Sequence, residues 1–245
     1  LIGCIGQSNM RDFFTTGTDE TPNAEVVKFN ESGWALMTST GNGANAFGDA
    51  LQLSEGVPIG LLDYGVGSSG LVTGVGTSDW TSATAGQPYP LFKIGSDAVG
   101  GKLEYLVWMQ GEQDSFESIT EAAYESALTT FISKCRADVT NGSNETNLPF
   151  IISLLGRTTN GTTDAAQQAI RNAQEDIADT IADCYRVTTH DLALADTVHF
   201  NGASFQKIGD RCAQVVLDII GNQTYHRGPL ISNYTSPATT STIIN

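Results

Sequence analysis

The chain has 245 residues, 40% of them hydrophobic, which is enough for one domain with a sizeable core. Twelve Lys and Arg residues against 27 Asp and Glu residues give a net charge of −15, which disfavours nucleic acid and anionic membrane surfaces as partners. No apolar run approaches the roughly 18 residues needed to cross a bilayer, so we expect no membrane insertion.

Five apolar runs predict buried strands, and helical patterns lie between and after them. The strands are predicted at residues 1–5, 57–64, 103–109, 149–155 and 185–189. The helices are predicted at residues 44–53, 121–139, 163–182 and 205–220. This alternation indicates a five-stranded parallel sheet covered by helices on both faces, a three-layer α/β/α architecture.

Two segments carry neither pattern. Residues 65–86 are rich in Gly, Ser and Thr, and we predict a long loop in which Trp80 forms part of a substrate wall. Residues 233–242 have the composition of a linker. We therefore expect a folded domain at residues 1–225 and a tail or linker at 226–245 that leads to another module, so that the chain is part of a larger protein or assembly.

The cysteines do not predict a metal site. They lack CxxC spacing, which argues against zinc, leaves the disulfide status open and makes buried thiols the default expectation. The cysteines are Cys4, Cys135, Cys184 and Cys212. Six Asn-x-Ser/Thr sequons fit an extracellular, cell-surface or virion-associated protein, although chance sequons are expected in a chain this rich in Ser, Thr and Asn.

Polar motifs follow the predicted strands at their carboxyl ends. Ser8 follows the first strand, residues 65–69 the second and residues 110–114 the third. Asp196 and His199 lie between the fifth strand and the last helix. Ligands of open parallel sheets bind at this edge, so the motifs predict one shared site.

Ser8, His199 and Asp196 have the residue types of a serine hydrolase. A serine hydroxyl is a poor nucleophile until an imidazole accepts its proton, and a carboxylate orients that imidazole. The competing interpretation of Ser8 is a helix cap, and that of His199 is a surface histidine. His190 and His226 fit a surface role better, because neither has an Asp three residues before it.

Three motifs together resemble the sialate O-acetylesterase and acetylxylan esterase group, carbohydrate esterase family six and its relatives, within the SGNH hydrolase superfamily. The motifs are Gly6-Gln7-Ser8-Asn9-Met10, Trp108-Met109-Gln110-Gly111-Glu112-Gln113-Asp114 and Asp196-Thr197-Val198-His199-Phe200. The resemblance implies a flavodoxin-like fold, with residues 1–225 as an SGNH-type esterase domain. It also implies hydrolysis of O-acetyl groups on a carbohydrate through an acyl-enzyme, with no cofactor and no metal.

Carried onto this sequence, the resemblance implies Ser8 as the nucleophile, His199 as the general base and Asp196 as the residue that orients His199. The oxyanion hole would combine the Ser8 backbone N–H, the Gly67 backbone N–H and the Gln110 amide.

The second turn, residues 65–69, departs from the usual Gly-Gly-Thr pattern of the group. Gly65 and Ser68 therefore stay alternatives to Gly67 as the backbone donor in this turn.

Gln7, Asn9 and Glu112 are predicted to support the site. We expect Glu112 to be a buried carboxylate that ties the third turn to backbone N–H groups of the Gln7-Ser8-Asn9 segment, and Asp114 to be a helix-start or loop acceptor. A glycosidase would use Glu112 and Asp114 as paired carboxylates, but that interpretation leaves Ser8 without a role.

The expected substrate is an acetylated polysaccharide, O-antigen or sialoside. One alternative is a short-chain acyl or lipid esterase of the same superfamily. Another is a non-catalytic carbohydrate-binding module on an esterase scaffold. Release of acetate or p-nitrophenol from model esters separates these three possibilities.

Overall fold

A computed structural model describes residues 1–18, 21–141, 148–159 and 161–221. The predicted tail at residues 226–245 lies outside the described residues. The described chain is a mixed α/β structure built on one large sheet, which is flanked by helices, with two small two-stranded sheets beside it.

Strands and helices alternate along the chain. The strands are β1 (Ile2–Gly6), β2 (Val26–Asn30), β3 (Gly33–Leu36), β4 (Ile59–Gly65), β5 (Ser69–Gly70), β6 (Ser78–Asp79), β7 (Lys102–Leu103), β8 (Tyr105–Met109), β9 (Thr140–Asn141), β10 (Phe150–Ser153) and β11 (Cys184–Val187). The helices are α1 (Ser8–Phe13), α2 (Asn42–Glu55), α3 (Pro88–Ala98), α4 (Glu112–Phe116), α5 (Glu121–Asp138), α6 (Asp164–Thr180) and α7 (Gly202–Ile220).

The central sheet has seven strands in the order β11-β10-β8-β1-β4-β2-β3, so the predicted count of five is wrong. The five predicted strands are β1, β4, β8, β10 and β11, which are parallel and stand in the spatial order 2-1-3-4-5 of a flavodoxin-like sheet. The two additional strands form one edge, where β2 runs parallel to β4 and β3 antiparallel to β2. Polar residues and a half-buried surface hide this edge from a search for apolar runs.

The helices cover both faces of the sheet. Successive residues of a strand point to opposite faces, so Trp108 lies in one hydrophobic cluster and its neighbour Val107 in the other. The cluster around Trp108 includes Phe131 of α5 and residues of α3 and α6. The cluster around Val107 includes Phe47 of α2 and Phe205 of α7, two helices that pack closely together. The predicted three-layer arrangement is confirmed.

The expected substrate wall at residues 65–86 is wrong for Trp80. This residue is fully buried, and its ring meets the Trp108 ring edge-on at a centroid separation of 5.4 Å. Its indole N–H donates to Ser69 Oγ at 3.0 Å, which satisfies its only polar group. Trp80 therefore anchors the loop to the core, and the segment includes the short strands β5 and β6.

All four cysteines are buried and free, as expected for the default of buried thiols. Among the described helices, none is long and apolar enough to cross a membrane.

Candidate active site

A sharp turn between β1 and α1 presents Ser8. Gly6 has a φ of 153°, and a Cβ at this position would lie 2.0 Å from the Met109 carbonyl oxygen, so only glycine fits. The Gln7 N–H then donates to that carbonyl at 2.9 Å. The end of β1 is thus fixed against β8, and Ser8 becomes the first residue of α1.

The loop before α7 holds Asp196 and His199 in a tight local turn. Asp196 Oδ1 accepts the N–H groups of Val198 and His199, each at 2.7 Å, and Asp196 Oδ2 lies 2.8 Å from His199 Nδ1. The backbone and side-chain hydrogen bonds from His199 are the main reasons why the pKa of Asp196 falls to about 2. Asp196 is therefore a carboxylate throughout the physiological range, well suited to orient a neighbouring imidazole.

The structure brings the three predicted side chains together. His199 Nε2 lies 3.0 Å from Ser8 Oγ, while its Nδ1 faces Asp196. The imidazole thus bridges hydroxyl and carboxylate, although Ser8 and His199 are 191 positions apart in the chain. Both contacts are within the reach required for proton transfer.

Asn9 fastens the histidine loop to the serine turn. It is fully buried, its Oδ1 accepts the Phe200 N–H at 3.1 Å, and its Nδ2 donates to the Val198 carbonyl at 3.3 Å. The same Nδ2 donates to Glu112 Oε1 at 2.5 Å. The predicted link from Glu112 to the first turn exists, but it runs through the Asn9 side chain; the expectation of backbone N–H partners for Glu112 in residues 7–9 is wrong.

Glu112 is a buried carboxyl group beside the catalytic machinery. Its Oε2 has no hydrogen-bond partner among the described residues. Burial raises the pKa of Glu112, whereas the Asn9 hydrogen bond and the nearby His199 lower it. Its position fits the support role that the sequence predicted.

Gln110 is only 1% exposed and is bound on all sides. Its Nε2 donates to Gln7 Oε1 at 3.2 Å, to the Ser69 carbonyl at 3.1 Å and to Asp114 Oδ2. Its Oε1 accepts the Tyr124 hydroxyl at 2.9 Å. An oxyanion role would require the amide to release one of these partners, so that role of Gln110 stays a prediction, with a structural role beside it.

Asp114 and Gln7 connect the turns to each other. Asp114 accepts the N–H groups of Leu71 and Val72 at 2.9 and 3.1 Å, which confirms its expected role as a loop acceptor. Burial is the main cause that raises the pKa of Asp114. Gln7 Oε1 also accepts the Gln113 N–H at 3.2 Å.

The second turn approaches the first closely. The Val66 N–H donates to the Gly6 carbonyl at 2.9 Å. Within the described part of the chain, the backbone N–H groups of Ser8, Gly67 and Ser68 have no acceptor, which suits donors that wait for an oxyanion. The N–H of Gly65 is directed at the Asp63 carboxyl group instead. Gly67 and Ser68 thus both remain candidates for the second donor.

A sequence model of the family described as carbohydrate esterase, sialic acid-specific acetylesterase matches residues 4–218. The chain belongs to this family. It is therefore a carboxylic ester hydrolase, and the family implies an acetylated carbohydrate as its class of substrate. A comparison with curated protein sequences finds no significant match.

Solved structures share the fold of this esterase at low sequence identity. A protein from Arabidopsis thaliana is 19% identical with a TM-score of 0.67, covering 89% of this chain and 97% of its own. A carbohydrate acetylesterase from Xanthomonas citri is 17% identical with a TM-score of 0.68, covering 92% of this chain and 57% of its own. NanS is 14% identical with a TM-score of 0.66, covering 91% of this chain and 97% of its own.

Two residues that complete the buried network of the esterase carry no motif. Tyr124 of α5 was missed by sequence reasoning, although a hydroxyl on a buried helix face is the one signal available for it. Gln174 of α6 donates to the Gln110 carbonyl at 2.8 Å and accepts the Leu155 N–H at 2.8 Å, which confirms its predicted structural role.

Among the residues described for the esterase, no group of three or more His, Cys, Asp or Glu side chains could hold a metal ion. Its site consists of hydroxyl, imidazole, carboxylate and amide groups.

Proposed function

We propose that the esterase removes O-acetyl groups from a carbohydrate through an acetyl-enzyme on Ser8. The observation that carries this proposal is the contact of His199 with Ser8 Oγ at 3.0 Å on one side and with Asp196 at 2.8 Å on the other, at the carboxyl end of β1. No other role explains why a polar trio is built from two distant segments.

In the first half-reaction, His199 Nε2 takes the proton of Ser8 Oγ while Oγ attacks the acetyl carbonyl carbon. Asp196, already ionised, stabilises the imidazolium that forms. The carbonyl oxygen becomes an oxyanion, for which the N–H groups of Ser8 and Gly67 are the nearest uncommitted donors, with Ser68 as the alternative to Gly67.

The intermediate then collapses. His199 returns the proton to the sugar oxygen, the C–O bond to the sugar breaks, and the sugar leaves as an alcohol with the acetyl group on Ser8. In the second half-reaction a water molecule gives its proton to His199 and attacks the acetyl carbon, which releases acetate and restores the hydroxyl of Ser8.

A lipid esterase would need an apolar groove that begins at Ser8. An apolar groove of about 140 Å³ does occur, with Leu51, Val57 and Val216 in its lining, but Ile2 and Tyr105 in the same lining lie at the amino ends of the strands. Ser8 lies at the carboxyl ends, across the sheet from this groove. The arrangement therefore favours a short acyl group over a long one.

The test is acetate release from acetylated xylan, acetylated sialosides and acetylated O-antigen, together with hydrolysis of p-nitrophenyl acetate and p-nitrophenyl octanoate. We expect release of acetate from at least one glycan and a clear preference for the acetate ester. Mass spectrometry of a quenched reaction should find the acetyl group on the peptide containing Ser8, with Ser8→Ala as the control. Hydrolysis of the octanoate alone, or full activity of Ser8→Ala, would refute the proposal.

A further inference from the structure

A cleft of about 580 Å³ opens at the carboxyl ends of β10 and β11. Arg157 and His190 follow these two strands and line the cleft from the sheet side. Arg171 and Gln168 line it from α6. The proposed catalytic steps use none of these residues.

The cleft adjoins the histidine loop. The Thr159 N–H, two residues after Arg157, donates to the Thr197 carbonyl at 2.8 Å, and Thr197 lies between Asp196 and His199. On the other side of Arg157, a Cβ at Gly156 would lie 2.5 Å from the ring of Phe200. The backbone that carries Arg157 thus packs directly on the backbone that carries His199.

The arginines of the cleft are free of acidic partners. Among the described residues, Arg157 makes no hydrogen bond or ion pair, and Arg171 donates only to the Gly156 carbonyl and to Gln168 Oε1. Other arginines of this acidic chain bind carboxylates within 4 Å. These arginines are Arg11, Arg186 and Arg211.

Two carboxylates also face the cleft, and they leave an excess of positive charge. Glu175 lies 3.5 Å from Arg186, which neutralises it. Asp164 is then the single carboxylate set against Arg157 and Arg171. Burial lowers the pKa of Arg171, Asp164 and Glu175 raise it, and Arg157 lowers it further. Guanidinium groups stay charged under such shifts.

The chemistry fixes which part of the substrate lies on this side. His199 gives its proton to the oxygen of the leaving sugar, so the sugar must stand next to His199 when the ester bond breaks. The backbone donors for the oxyanion belong to the turns after β1 and β4, away from β10 and β11. The sugar therefore extends towards the cleft, while the acetyl carbonyl points away from it.

We propose that Arg157 and Arg171 bind the carboxylate of an acidic sugar, so that the esterase prefers O-acetylated glycans built from carboxylated sugars. This inference rests on the proposed function and adds a substrate class and two specificity residues to it. A guanidinium matches a carboxylate with two parallel N–H donors, and such charge-assisted bonds are stronger than neutral ones. In a chain of net charge −15, a local positive cleft also offsets the repulsion of an anionic substrate.

The first test measures inhibition of p-nitrophenyl acetate hydrolysis by deacetylated sugars. Glucuronate and N-acetylneuraminate represent two sources of the carboxylate, and glucose is the neutral reference. We expect at least one acid to inhibit at a concentration roughly tenfold or more below that of glucose, with the difference shrinking as salt is added. Equal inhibition by the acids and by glucose would overturn the proposal, while hydrolysis of the acetate ester itself would still stand.

The second test removes the charges. Arg157→Gln with Arg171→Gln should abolish the preference for the acid over its methyl ester, and leave kcat for p-nitrophenyl acetate near that of the unmodified protein. Lys207→Gln removes an exposed cation of α7 and should keep the preference. Circular dichroism verifies that the double variant is folded, and each single variant provides a milder case. A preference for the acid that survives in the folded double variant would refute the assignment.

Discussion

The two halves of the active site are held in opposite ways. On the serine side, the turns after β1 and β8 are joined by amide groups in the interior, and Gln110 is 1% exposed. On the histidine side, the side chains of His199 and Asp196 are 31% and 56% exposed. The nucleophile is thus set in a fully bonded interior, while the base stands at the solvent boundary, where the water of the second half-reaction can reach it.

This difference assigns separate tasks to the two halves. Buried hydrogen bonds in a low dielectric are costly to break, so the serine side is rigid. The histidine loop is stabilised by its own turn around Asp196 and by Asn9, which is its bond to the interior. Substitutions on the serine side should therefore change stability together with rate, whereas those on the histidine side should change rate more than stability.

The largest effect is expected at the contact between the halves. Ser8→Ala should lower kcat by roughly three orders of magnitude or more with little change in melting temperature, because the turn accepts a small side chain. His199→Ala should be similarly damaging, and the double variant no worse than either single one, since both residues act in one step. Steady-state kinetics on the three variants measure this, and a double variant that loses the product of both effects would exclude a shared mechanism.

Gln110 is the sharpest test of the serine side. If its amide also reaches the oxyanion, Gln110→Ala lowers kcat by roughly 10²–10³ with little change in KM. The melting temperature should fall too, because Gln7 and Asp114 lose a buried partner.

Gln110→Glu should be at least as harmful to kcat, since a carboxylate repels the oxyanion. Near-normal kcat in a folded Gln110→Ala protein of lowered melting temperature would leave Gln110 with its structural role alone.

Asn9→Ala tests the bond between the halves. It removes the hydrogen bonds to Phe200 and Val198, so we expect kcat to fall about 10- to 100-fold as His199 loses its fixed position. Asn45→Ala is a matched control, because Asn45 is equally buried but binds the Thr38 carbonyl near α2. The control should lower the melting temperature and leave kcat unchanged. Equal kcat losses in both variants would mean that Asn9 acts only through general stability.

The smallest effect concerns Asp63 near the end of β4. Burial raises its pKa to about 6, although Lys28 and the Gly65 N–H lower it. The folded protein therefore holds this proton to a higher pH than the unfolded chain, and stability is lost as pH rises from about 4 to about 6. Asp63→Asn should gain about 1–3 kcal/mol of stability at pH 8, and the gain should vanish below about pH 4. Urea unfolding at both pH values measures it, and a gain independent of pH would contradict this cause.

The sequence predicted those parts of the fold that are locally encoded. The five central strands are short apolar runs, and each was predicted within a few residues of its position. The β2–β3 edge was missed because Lys28 and Asn30 interrupt its apolar pattern and Trp34 is half exposed. Helix α3 was missed because it begins with Pro88-Tyr89-Pro90, a composition typical of turns.

The site divides in the same manner. Ser8, Asp196 and His199 were predicted because short motifs carry them. The partner of Glu112 could not be predicted, since it depends on which atom of Asn9 faces a residue 103 positions away. The commitments of the Gln110 amide depend likewise on Ser69 and Tyr124, which no spacing rule connects to it.

The four buried thiols have a practical consequence. Burial raises the pKa of Cys184 to about 11 and that of Cys212 to about 12, and it raises the pKa of Cys4 and Cys135 as well. Thiolates are the species that react with maleimides, so the native cysteines should be nearly silent towards such reagents while the protein is folded. A single cysteine introduced at an exposed position such as Gln168, on the rim of the arginine cleft, would then accept a fluorophore selectively and report the arrival of a sugar by its emission.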